Sequence, residues 1–174
     1  MIDIEETAEE RKLYERITDR ILSSSHLQAL KGRLTGEKKI AVLVDGPNFL
    51  RKVKDKQIKL EDIDEKIHDL GKVTIKKVIL NEFASKKLIQ AITNSGYEPI
   101  VSPHDTHITI VVEAMNIIQK EKQIDMVVIA SRHARVNPLL LKLKEKGIET
   151  AVVGFEPGFS VALKKSADYT ILIE

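Results

Sequence analysis

No cysteine occurs among the 174 residues. A disulfide framework, a zinc ribbon and a cysteine nucleophile are thereby excluded. Aromatics are scarce as well: no Trp, 3 Tyr and 4 Phe, or 4% of the chain. No stretch reaches the roughly 18 consecutive apolar residues of a membrane span, so no membrane partner is expected. The opening Met1-Ile2-Asp3-Ile4-Glu5-Glu6 is acidic where a secretory signal is basic and then apolar, which predicts a cytoplasmic location. A large charge of one sign is also missing. Lys and Arg number 28 against 26 Asp and Glu, a net +2, and that balance alone does not demand a polyanion partner.

What is present suffices for a core. The chain is 43% hydrophobic and 31% charged, the balance of a folded globular protein. A chain of this length buries roughly 70% of its extended surface. Charge is spread unevenly: residues 1–37 carry net −2 and residues 38–174 net +4. The densest basic run, Arg51 to Lys59, holds five Lys or Arg with only Asp55 opposing. Such a run is either a solvated face or a phosphate-contacting edge.

The pattern changes near residue 38. Before it, Leu13, Ile17 and Ile21 recur at four-residue spacing, which predicts a helix over roughly Glu5 to Leu30. After it, Ile40 to Val44 is a continuous apolar run of the kind a buried parallel strand shows. Further runs follow at Val73–Leu80, Glu98–Val101, Met126–Ala130, Thr150–Val153 and Thr170–Ile173. Helical stretches separate them: Ser85–Ser95, Ile108–Lys120 and Pro138–Lys146. Strand–helix alternation predicts right-handed crossovers and an α/β fold with helices on both faces of a parallel sheet.

Ligands of such sheets bind beyond the carboxyl ends of the strands. The predicted strands run there into Asp45, Asn81-Glu82, Ser102 to His107, Ser131 to Arg135, and Gly154 to Ser160. Asp45 at a strand end is either a helix N-cap or an organiser of a metal or phosphate site. Gly46 permits a sharp turn, Pro47 suits a first helical turn, and the Asn48 amide can hold the carboxylate or a ligand.

The segment Val42-Leu43-Val44-Asp45-Gly46-Pro47-Asn48-Phe49 resembles the opening motif of the NYN domain, a family with a PIN-like nuclease fold. The resemblance continues through Ile124 to Ile129, Leu139 to Gly154, and Glu156 to Ser160 with Ala162, Leu163 and Asp168, and this part is similar to an archaeal branch. It implies a three-layer α/β sandwich with a mostly parallel sheet over residues 38–174, and the helix-like spacing before it makes residues 1–37 an N-terminal helical extension. It also implies a metal-dependent ribonuclease ancestry, with Mg²⁺ or Mn²⁺ held by four acidic positions. Asp45 fills the first and Glu113 the third, and these are the expected catalytic carboxylates. His107 stands at the second. His133 and Arg135 stand where the family has aspartates after its fourth strand.

Phosphodiester hydrolysis needs a hard cation held by oxygen ligands, and Arg for Asp moves local charge by two units. Asp105 could substitute if its loop turned inward. One expectation is therefore a site that binds RNA or another phosphorylated ligand, with weak or lost Mg²⁺-dependent activity. Its contacts would be Asn48, Arg51, Lys52, His104, Arg132 and Arg135, together with the turn at Gly158 and Ser160, which opens a short helix. Phe49, Phe155 and Phe159 are the aromatics near strand ends that could stack on bases. A second expectation is an active ribonuclease with a remodelled metal set of Asp45, Glu113, His107 and His133, suited to Zn²⁺ or Mn²⁺. A third is a non-catalytic partner protein that forms a homodimer through its N-terminal helix.

Overall fold

The computed structural model describes residues 37–50, 52–53 and 56–174. The expected N-terminal helix and its Leu13–Ile17–Ile21 stripe, as well as Arg51, lie outside the described residues. The elements follow in chain order. β1 spans Lys39–Asp45 and α1 Gly46–Phe49; β2 (Lys52–Val53) and β3 (Lys56–Gln57) form a short antiparallel ribbon. Next come α2 (Leu60–Ile67), a 3-10 turn (His68–Leu70), β4 (Lys72–Asn81) and α3 (Lys86–Asn94). β5 (Glu98–Ser102), α4 (Thr106–Lys120) and β6 (Met126–Ala130) come next. The chain closes with a 3-10 turn (Ala134–Val136), α5 (Asn137–Glu145), β7 (Glu149–Gly154), α6 (Val161–Ser166) and β8 (Tyr169–Leu172).

Six strands make one sheet in the order β5-β4-β1-β6-β7-β8, and every neighbouring pair is parallel. The central strands β1 and β6 are apolar and almost wholly buried, because helices cover both faces. One layer joins Ile63, Ile67 and Ile92 of α2 and α3 to Val42, Val44, Val78 and Val128. The other joins Ile110, Ala114 and Ile117 of α4 and Leu139, Leu140 and Leu143 of α5 to Leu43, Ile79 and Ile129. This is the three-layer PIN-like arrangement, with a sheet that is parallel throughout.

Local signals place the helix ends. Ser85 caps α3, its Oγ accepting from the Leu88 N–H at 3.1 Å. Gly147, with φ of +73°, ends α5 in the left-handed region that favours glycine. The sequence reading assigns no helix to 60–67. There Leu60, Ile63 and Ile67 turn out to share a buried face, and the acidic residues between them masked a short three–four spacing.

The chain leaves β1 toward β4 and β5 on one side and returns to β6, β7 and β8 on the other. The topological switch therefore lies beside β1, and a crevice opens beyond its carboxyl end.

Candidate functional site

Asp45 ends β1 at that switch and is completely buried. Side chains alternate along a strand, so Asp45 shares with Leu43 the face that α4 covers. It occupies the N-cap position of α1, yet its carboxylate makes no cap hydrogen bond. Instead Oδ2 accepts from Asn48 Nδ2 at 2.8 Å and from Ser131 Oγ at 3.1 Å. His107 Nε2 stands 3.2 Å from the same oxygen. Asp45 Oδ1 is buried without a hydrogen-bond partner.

Gly46 is needed for a reason other than a sharp turn. A Cβ there would lie 2.6 Å from Leu80 Cδ2 and 2.7 Å from the Ile79 carbonyl oxygen. The glycine lets α1 leave β1 pressed against β4.

His107 sits in the first turn of α4 and is held at both ring nitrogens. Nδ1 lies 3.0 Å from Asp105 Oδ1, and Nε2 lies 3.3 Å from Asn48 Nδ2 as well as facing Asp45. Asp105 caps α4 by accepting from the His107 backbone N–H at 2.8 Å, and its Oδ2 receives Arg135 Nη1 at 3.0 Å. The His107 backbone N–H and ring, followed by the Arg135 charge, hold the Asp105 carboxyl below its ordinary pKa. The His107 and His133 rings lie 4.8 Å apart at 52°. Asp45, Asn48, Asp105, His107, Ser131, His133 and Arg135 thus converge on one strand-end cluster.

Other expected site residues have different surroundings. Glu113 lies six residues beyond His107, about 9 Å farther along α4. There its Oε2 meets Lys77 Nζ at 2.9 Å, and Glu98 Oε2 approaches the same ammonium at 3.4 Å. Lys77 pairs with Leu43 in the sheet, two residues before the Ile79–Asp45 pair. Burial pulls the Lys77 ammonium down, but Glu113 and Glu98 outweigh it and hold its pKa above the ordinary lysine value.

Arg132 ties its own loop to α1 and to the β7–α6 connection. Its Nη1 donates to the Pro157 carbonyl at 2.5 Å and its Nη2 to the Asn48 carbonyl at 3.4 Å, while its guanidinium lies 4.1 Å from the Phe155 ring centre. Near Gly158 the turn is already filled. Glu156 Oε2 accepts from the Phe159 N–H at 3.3 Å, and Ser160 Oγ caps the six-residue α6 through Leu163 N–H at 3.4 Å. His104 and Lys52 are exposed.

Phe49, Phe155 and Phe159, expected as stacking aromatics, are all buried; Phe49 and Phe155 pack edge to face at 5.4 Å and 74°. An exposed phenylalanine, Phe83, is 84% accessible just beyond β4. Sequence reasoning passed over Phe83 and Lys77, and it placed Ser131 at a strand end without giving it a role. Ser131 carries a signal, being the first polar residue after the apolar β6, and Lys77 carries another as a lysine inside an apolar strand.

These donors do not suit Mg²⁺, which prefers an octahedral shell of oxygens. Asp45 Oδ1 is without a hydrogen-bond partner, but it is buried. Glu113 is engaged by Lys77, and Asp105 by His107 and Arg135. Among the described residues no group of three or more His, Asp or Glu is placed to hold a metal ion. The amide nitrogen of Asn48, a donor, sits between Asp45 and His107.

Comparison with known proteins agrees with the geometry of the fold. An uncharacterised protein of Methanocaldococcus jannaschii is 42% identical over 138 residues, covering 79% of this chain and 56% of that protein. The chain thus spans a little over half the length of that curated relative. A solved structure of a protein of unknown function from Vibrio parahaemolyticus superposes with a TM-score of 0.69 at 19% identity, covering 80% of this chain and 94% of the other. That likeness is one of fold. No helix among the described residues is long and apolar enough to cross a membrane. The NYN domain family model matches residues 39–174, and the chain belongs to the NYN domain family.

Proposed function

We propose that this domain binds RNA or another phosphorylated ligand at the carboxyl ends of β1, β5 and β6, with weak or lost Mg²⁺-dependent nuclease activity. Family membership supports a nuclease-like, RNA-related role. The observation that carries the loss is the partnering of the surviving carboxylates: Asp45 with Asn48, Ser131 and His107, and Glu113 with Lys77. Arg135 is 65% exposed at its side chain while resting on Asp105, so its guanidinium can exchange that contact for a phosphate. His104, His133 and Lys52 border the same strand ends and the ribbon beside them. Phe83 offers a stacking face that Phe49, Phe155 and Phe159 do not. A cytoplasmic location accords with an RNA ligand.

The test is incubation of the protein with mixed RNA in Mg²⁺ or Mn²⁺, beside the Asp45→Ala variant. Binding at low salt without cleavage supports the reading. Cleavage that Asp45→Ala abolishes overturns it.

One observation favours the remodelled ribonuclease as second reading. Asp105 orients His107 through Nδ1, as an outer carboxylate orients a metal-bound imidazole, and the His133 ring is adjacent. On that reading Zn²⁺ or Mn²⁺ restores cleavage, and His107→Ala and His133→Ala each remove it.

A further inference from the structure

We propose that Asp105 is a specificity-determining residue: an internal anion on Arg135 that makes the crevice select a terminal phosphate monoester of RNA over the diester backbone. This rests on the reading that the crevice takes RNA or another phosphorylated ligand, and it narrows the chemistry of that ligand.

Asp105 caps α4, and Arg135 lies in the 3-10 turn after β6. The two meet with Nη1 at 3.0 Å from Oδ2, their side chains 65% and 35% exposed. An ion pair this open to water is weak, so an arriving oxyanion can take the place of the carboxylate. Asp105 loses little in that exchange. Its Oδ1 keeps the His107 backbone N–H at 2.8 Å and the His107 ring at 3.0 Å. Those contacts lower its pKa more than the Arg135 charge does.

The exchange then turns on charge. A phosphodiester carries one negative charge, as the carboxylate does, so swapping one for the other leaves the guanidinium no better neutralised. A terminal phosphate monoester carries a charge of about −1.5 to −2 at neutral pH and an additional acceptor oxygen. That excess favours displacement of Asp105. His133 is exposed, with its ring 4.8 Å from that of His107, and is the neighbouring donor for the additional oxygen. The Asp45 carboxylate beside them is already held by Asn48, Ser131 and His107.

Anisotropy titrations of the full chain in EDTA test this, with one oligoribonucleotide carrying a 5′-phosphate, a 3′-phosphate or hydroxyls at both ends. The wild type is expected to prefer a phosphorylated end by about tenfold, the effect of one added charged contact. Which end is preferred distinguishes the two sources of the monoester. Asp105→Asn keeps an oxygen for the α4 cap and removes the charge. It is expected to bind the hydroxyl-ended RNA more tightly, shrinking the preference toward parity, whereas a merely structural lesion weakens every RNA. Arg135→Gln is expected to lose the preference by weakening the phosphorylated RNA instead. In the double variant the gain from Asp105→Asn is expected to vanish, because Asp105 acts through Arg135. Equal wild-type affinity for all three RNAs overturns the proposal and leaves the binding reading standing. So does an Asp105→Asn protein that keeps the full preference. If Asp105→Asn does not fold, Asp105→Ser, which also caps a helix, makes the same comparison. Failure to bind any of the three RNAs overturns the binding reading, and this proposal with it.

Discussion

Ser131 Oγ donates to Asp45 Oδ2 at 3.1 Å across the ends of β1 and β6. Both residues are completely buried. The hydroxyl also accepts from the His133 backbone N–H at 3.3 Å, so one side chain ties the carboxylate to the loop carrying His133 and Arg135. Loss of a hydrogen bond to a buried charged group costs about 1–3 kcal/mol. Ser131→Ala is accordingly expected to lower unfolding free energy by about that amount, as denaturant titration will show. Ser131→Thr keeps the hydroxyl and separates lost bonding from altered volume.

Arg135 is expected to contribute one phosphate contact. Arg135→Ala should weaken RNA binding for all sequences alike and reduce the slope of log affinity against log salt by about one. Anisotropy titrations over a range of salt read both quantities. An unchanged slope would place Arg135 outside the phosphate track.

Phe83 is an exposed aromatic at the β4 end of the crevice. Phe83→Ala is expected to weaken single-stranded RNA binding by about 1–3 kcal/mol, the range for one stacked base. Duplex RNA, whose bases are not available to stack, should bind unchanged. Phe83→Trp should preserve the single-strand affinity.

Asp168 links β7 to the turn before β8, its Oδ2 accepting from Thr150 N–H at 2.8 Å and Thr150 Oγ1 at 3.0 Å. Burial raises its pKa, but the Thr150 donors and the Lys144 charge outweigh burial and leave it lowered. A carboxyl lowered on folding stabilises the protein above its unfolded pKa of about 3.9, and that contribution disappears as pH falls through the folded value. Asp168→Asn should therefore lower stability near neutrality and flatten its decline below about pH 4. Chemical denaturation at several pH values checks both signs.

The strands were legible because β1, β6 and β7 are runs of apolar residues with both faces covered, and their parallel direction followed from strand–helix alternation. The ribbon β2–β3 and helix α2 were not, since charge between their apolar residues hid the spacing. At the site, Asp45, Asn48, His107, His133 and Arg135 could be placed at strand ends from sequence, and they cluster there. Glu113 could not be separated from them, because a linear motif does not show how far a helix travels over a sheet in six residues. The Arg132 bracing is likewise invisible in sequence: its partners are carbonyl groups of Asn48 and Pro157, which any residue supplies. Phe49, Phe155 and Phe159 looked available because they follow strands, yet packing between layers claims all three.

The central claim is ligand binding through side-chain cations without Mg²⁺-dependent cleavage. The most direct measurement is RNA affinity and RNA integrity followed together in excess EDTA and in excess Mg²⁺. The account predicts the same affinity in both after matching ionic strength, with intact RNA throughout. Binding that requires Mg²⁺, or cleavage in Mg²⁺ that Asp45→Ala removes, would contradict it.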